Sequence, residues 1–261
     1  MKLKNTLLLL LNLLWIACEP IKPPAFDCQP YQNIANQSNQ VITYEYNETG
    51  IITKLTRQNL QGIDSFNFVY NELGLLSKVI GTGGGLSADY TYSNTIPTQL
   101  TSVEFGIGPI YFANYTFNEQ GKASSVNYIN GNTQVFIYFI YDELGNLIRQ
   151  DVYEGDDIIT SYTEYEYDDK QVIAYLPNVP LPFLINNDLG MFYSFVDYNG
   201  TSNNWSENNV TRATTYNNLG AVIQEASITY EYDYNYPYKT TVANSNNDTI
   251  VVYTLLNCQE P

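Results

Sequence analysis

A short aromatic pattern that returns about every 24 residues constrains this chain more than any other feature. Tyr44-Glu45-Tyr46-Asn47-Glu48-Thr49-Gly50 recurs as Phe68-Val69-Tyr70-Asn71-Glu72-Leu73-Gly74, as Tyr115-Thr116-Phe117-Asn118-Glu119-Gln120-Gly121 and as Phe139-Ile140-Tyr141-Asp142-Glu143-Leu144-Gly145. Looser copies begin at Tyr90, Tyr165, Thr214 and Tyr230. The second aromatic falls at 46, 70, 92, 117, 141, 167 and 216, with gaps of 24, 22, 25, 24, 26 and 49. The last gap reads as two periods with one unit altered. Regular self-similarity of this kind means one supersecondary unit used many times.

Each unit reads as a β-hairpin. Aromatics at alternate positions mark one strand face, with Thr, Glu or Val on the other. Asn or Asp followed by Glu and Gly makes the turn, because the Asx side chain bonds backbone ahead of it and glycine takes the positive φ. An apolar residue opens the next strand at Ile52, Leu76, Ala123, Leu147 and Val222, and Lys54, Lys78 and Arg149 follow two positions later. With 25 tyrosines the sheet carries ladders of cross-strand aromatics. Between 177 and 209 the pattern breaks at Pro177, Pro180 and Pro182. A loop with one short helix is expected there, followed by a polar loop from Asn199 to Asn209. The expected fold is all-β: an antiparallel meander of hairpin repeats forming a curved sheet or a barrel-like roll, with that one helix or loop insertion.

The N-terminus carries a targeting pattern. Lys2 and Lys4 precede the apolar stretch Leu7–Ala17, too short to span a bilayer as a mature helix. The stretch ends Leu14-Trp15-Ile16-Ala17-Cys18, which resembles a bacterial lipoprotein signal with Cys18 as the lipidated residue, although Trp15 stands where an aliphatic side chain is usual. Glu19-Pro20-Ile21-Lys22-Pro23-Pro24 reads as an extended spacer. The expected organisation is a signal peptide over 1–17, a Pro-rich tether over 18–30 and a single β-repeat domain over 31–261. Cys28 and Cys258 remain as candidates for a disulfide in an oxidising compartment. Closing a loop of that length is worth roughly 4–5 kcal/mol at most.

Tyr141-Asp142-Glu143-Leu144-Gly145-Asn146-Leu147-Ile148 resembles the YD repeat of RHS-type bacterial proteins, and weaker copies cover most of residues 40–235. Leader, hairpin repeats, Asn208-Asn209-Val210-Thr211-Arg212 and the late Tyr230–Pro237 run together resemble Gram-negative lipoproteins of unknown function with a porin-like fold. The resemblance implies a curved antiparallel sheet or barrel-like roll and supplies no catalytic motif. It places the chain at the outer membrane, lipid-anchored, on the periplasmic or the cell-surface face.

Composition then excludes several functions. The chain has no histidine, so Ser-His-Asp and Cys-His nucleophile systems and imidazole bases are ruled out. A formal charge of −16, reaching −18 once Lys2 and Lys4 leave with the signal peptide, repels nucleic acid and anionic headgroups. A transmembrane barrel is disfavoured because the face opposite the tyrosines carries Glu45, Glu166 and Glu231. No cofactor or metal site is expected. Asp156-Asp157, Asp168-Asp169 and Asp197 through Gly200 offer oxygen ligands, but without EF-hand spacing.

The leading functional reading is a non-enzymatic binding or scaffold protein of the envelope, recognising a glycan or partner protein through aromatic and polar residues on loops or a sheet face. Trp205, Tyr198 and Asn199 are the candidate loop ligands. Two alternatives compete with it: a glycan hydrolase using Glu164 and Glu166, two positions apart on one strand face, and a passive structural lipoprotein.

Overall fold

The computed structural model describes residues 27–36, 39–60, 62–82, 87–93, 100–106, 111–120, 122–131, 133–155, 158–171, 206, 208–233, 236–245 and 249–259. These form sixteen strands. They are β1 (Asp27–Ala35), β2 (Gln40–Tyr46), β3 (Ile52–Asn59), β4 (Gly62–Tyr70), β5 (Leu76–Gly81), β6 (Ser87–Tyr92), β7 (Leu100–Gly106) and β8 (Tyr111–Phe117), followed by β9 (Ala123–Asn130), β10 (Thr133–Tyr141), β11 (Leu147–Glu154), β12 (Ile159–Gln171), β13 (Asn208–Asn217), β14 (Val222–Asp233), β15 (Tyr236–Asn244) and β16 (Thr249–Gln259). Every strand pairs antiparallel with its chain neighbours, and β1 pairs with β16, so the meander closes into a barrel. Closure removes the free edges that an open sheet would leave.

The turns do what their residues dictate. Asn47 N–H donates to the Ile51 carbonyl and Gly50 N–H to the Asn47 carbonyl. The Asn47 Oδ1 accepts from the Thr49 and Ile51 backbone amides. Asn71 and Asn217 repeat the same pattern, and Gly50, Gly74, Gly145 and Gly220 all sit at φ between 75° and 89°. A β-bulge follows the turn in most hairpins, and its hydroxyl caps a carbonyl across the ladder. Thr53 donates to Glu45, Ser77 to Val69 and Thr101 to Thr91. The bulge lets the opening apolar residue face inward and the following Lys or Arg face outward.

Inside, the motif aromatics and aliphatics form one cluster. Val79, Val103, Val126 and Ile137 have no exposure to water, so the barrel is filled at these levels. The second tyrosine of a repeat reaches a backbone carbonyl of the preceding one. Tyr70 donates to Ile52, Tyr92 to Leu76 and Tyr167 to Leu147, and after the stretch between β12 and β13 it is the first tyrosine of a copy, Tyr230, that donates to Val210. Outside lie the ion pairs Glu45–Lys54, Lys78–Asp89 and Glu231–Lys239. Apolar inside and charged outside is the reverse of a lipid-embedded barrel.

Four expectations change. The barrel is closed, which the sequence left open against a curved sheet. The first strand starts at Asp27, inside the stretch assigned to the tether, because Pro30 is buried and its carbonyl accepts from Tyr46. Asn208 and Asn209 belong to β13 and not to a polar loop, since both side chains hydrogen-bond the Lys170 carbonyl. No helix occurs among the described residues, and the stretch 172–205 where one was expected lies outside them.

Candidate functional site

The strands alternate, so the Asx turns at 47–50, 71–74 and 142–145 share one end of the barrel. The start of β1, the end of β16 and both flanks of the stretch between β12 and β13 are at that same end. That stretch takes the place of a turn, so the next copy of the motif, Asn217 to Gly220, lies at the opposite end. The 49-residue gap is therefore a change of phase and not a lost unit. A bulge at Thr211 accompanies it, with Tyr167 opposite Val210 and Glu166 opposite Arg212. Val210 stays in the core, while Arg212, Thr214 and Tyr216 turn outward. The consequence shows at Val222, which is 54% exposed where its counterparts Ile52 and Leu147 are 1% exposed.

This inverted hairpin borders a groove of about 420 Å³ on the outer wall of β11–β14. Its sides are two guanidinium–carboxylate clusters. Arg149 Nε donates to Asp151 Oδ1 at 2.7 Å and its Nη1 lies 3.6 Å from Glu164 Oε1. Arg212 bridges Glu225 at 3.0 Å and Glu166 at 3.4 Å. One row further along the ladder, next to Arg149, stands an aromatic stack. The Arg149 guanidinium covers the Tyr162 ring at 4.0 Å, and that ring stacks with Tyr216 at 4.8 Å with the planes 16° apart. Thr214, buried, lies in register between Glu164 and Glu225.

The electrostatics follow from these contacts. Burial works against the Arg149 charge, but the hydrogen bond and Coulomb attraction of Asp151, and then Glu164, prevail, so its pKa is raised. Arg212 is raised too, first by its hydrogen bond to Glu225. Chemically the groove offers fixed donors, fixed acceptors and an apolar rim at Val222 and Ile148.

Of the residues singled out in the sequence, Glu164 and Glu166 do share the outer face of β12. Each is held by a different arginine, and their side chains are 48% and 67% exposed. Cys28 and Cys258 are joined at the β1–β16 seam. Cys18, Tyr198, Asn199 and Trp205 lie outside the described residues, as do Asp156, Asp157 and Asp197. The Asp168 carboxylate is engaged by the Lys170 and Asn209 amides and the Tyr232 hydroxyl, which fastens the return of the chain into β13. No group of three or more acidic or cysteine side chains converges among the described residues. Sequence reasoning missed Arg149, Tyr162, Arg212, Tyr216 and Glu225 as one site. A signal was present, because Thr214-Thr215-Tyr216 is the copy whose first position is not aromatic.

No protein-family profile and no curated protein matches the chain. Among solved structures, it is similar to a porin-like protein from Bacteroides uniformis, with a TM-score of 0.53 and 13% identity over 90% of this chain and 98% of that one. A porin-like protein from Bacteroides vulgatus gives 0.45 and 13%, over 87% and 98%. The likeness to the first establishes a shared fold: the chain is an antiparallel β-barrel of the porin-like type.

Proposed function

We propose that this protein is a lipid-anchored binding protein of the bacterial outer envelope, held through Cys18, and that its ligand is a polyhydroxylated molecule seated in the β11–β14 groove. The observation that carries this reading is the inverted hairpin, which turns Tyr216 and Val222 outward beside the Arg149 and Arg212 clusters. A filled interior leaves the outer wall as the surface for recognition. Alternating guanidinium and carboxylate groups bond hydroxyls in both directions, and the ring edge and Val222 pack against carbon faces. The hydrolase alternative needs one carboxyl group to hold its proton at neutral pH, which calls for burial. The exposure of Glu164 and Glu166 favours binding instead.

Thermal stability measured against a glycan panel tests the site. A stabilising glycan is expected, with its shift lost in Arg212→Ala and Tyr216→Ala. No shift with any glycan, or an unchanged shift in both variants, overturns it. Protease shaving of intact cells tests the anchor: cleavage of the native chain and soluble release of Cys18→Ala are expected.

A further inference from the structure

Beside the groove, β8–β10 are three consecutive strands with no charged residue in 7, 8 and 9 positions, in a chain of charge −16. Their outward side chains fall into rows across the ladder. Phe112 is opposite Ile129, and Asn114 is opposite Asn127, which is opposite Phe136, which is opposite Tyr153 of β11. Thr116, Ser125 and Tyr138 form the next row. Phe112 and Tyr138 are 42% and 47% exposed, and Tyr138 meets Tyr153 edge-on at 5.4 Å. The neighbouring strands carry Glu104 on one side and Arg149 and Asp151 on the other. The Asn127 Oδ1 has no hydrogen-bond partner among the described residues.

We propose that this charge-free face docks a neutral, extended polysaccharide lying across the strands; the inference rests on the reading of the outer wall as the ligand-binding surface. Rings on β10 and β11 continuing rows of amides and hydroxyls on β8 and β9 suit a pyranose chain, whose carbon faces stack and whose hydroxyl edges need donors and acceptors. An extended pyranose residue is about as long as one strand-to-strand step of ~4.8 Å, so successive sugars meet successive strands. An anionic chain is repelled by the molecule as a whole. A second copy fits poorly: three strands of about seven residues give a face of ~14 by ~23 Å, under half of the ~800 Å² per partner that a stable interface buries.

Native gel electrophoresis of the full chain carrying Cys18→Ala, in gels containing xylan, mannan, β-glucan, starch or polygalacturonate, tests this. Retardation by at least one neutral polysaccharide and none by polygalacturonate is expected. Phe136→Ala and Tyr138→Ala should weaken the retarding interaction about tenfold, with unchanged circular dichroism. Absence of retardation in every neutral gel overturns the proposal, as does equal retardation of both variants. Binding that is lost only in Arg212→Ala keeps the groove reading and discards this face. Slow migration without polysaccharide that Tyr138→Glu restores to the monomer position assigns the face to a second copy and also overturns the proposal.

Discussion

The choice of tyrosine over phenylalanine at the second aromatic position has a specific cause. Its ring packs against the core, and its hydroxyl donates to a backbone carbonyl beside the bulge of the preceding hairpin, as Tyr70 does to Ile52 at 2.7 Å. Tyr70→Phe is expected to lower unfolding free energy by about 0.5–1.5 kcal/mol, read from urea denaturation. Glycine in the turns is tested by a pair of variants. At Gly74, φ +75, an added Cβ meets open space, so Gly74→Ala costs only the left-handed strain of about 1–2 kcal/mol. At Gly50 the same Cβ would lie 2.5 Å from Gln29 Nε2, which must swing away and give up its bond to the Gly50 carbonyl. Gly50→Ala is therefore expected to cost about 1 kcal/mol more than Gly74→Ala. Equal midpoints for the two would contradict this.

Hairpins are the elements of this fold, and the seam is the element they cannot make alone. Fifteen of the sixteen ladders join strands adjacent in the chain, while β1 meets β16 with Cys28 opposite Cys258. The disulfide, across a sequence separation of 230, shortens the loop that seam pairing must close. Replacing both cysteines by serine is expected to lower stability by up to about 5 kcal/mol, measured by equilibrium unfolding with and without reductant on the native chain. Loss of native signal should report on the whole barrel and not on β1 alone, because opening the seam exposes two edges at once.

Across the whole molecule, the filled interior couples stability to alkaline pH. Burial raises the pKa of Tyr90 and Tyr115 well above the ordinary value near 10, and pushes Tyr92 and Tyr128 up to about 12. For a group whose pKa is raised on folding, the neutral form belongs to the folded state. Its stabilisation is intact below pH ~10 and is lost as pH climbs through the folded value. The urea midpoint should stay level to about pH 9 and fall steeply above pH 10, with tyrosinate absorbance rising together with unfolding. Complete tyrosine ionisation with the fold intact would show that these hydroxyls reach water.

The hairpin, its turn and its inward aromatic face were legible from residues alone. They depend on contacts within a few positions: an Asx side chain bonding two and four residues ahead, a glycine at positive φ, an aromatic at every second place. Closure was not legible, because it rests on β1 and β16 finding each other across the length of the chain. Nor was the face shown by Tyr216. The motif at 214–220 looks like its siblings, and the turn it makes is the same, but the Thr211 bulge and the single strand of phase put its core face on the outer wall. In a sheet, a one-residue change of register exchanges inside for outside. Local chemistry determined which hairpins form, and the tertiary ladder alone decided which of their side chains meet water.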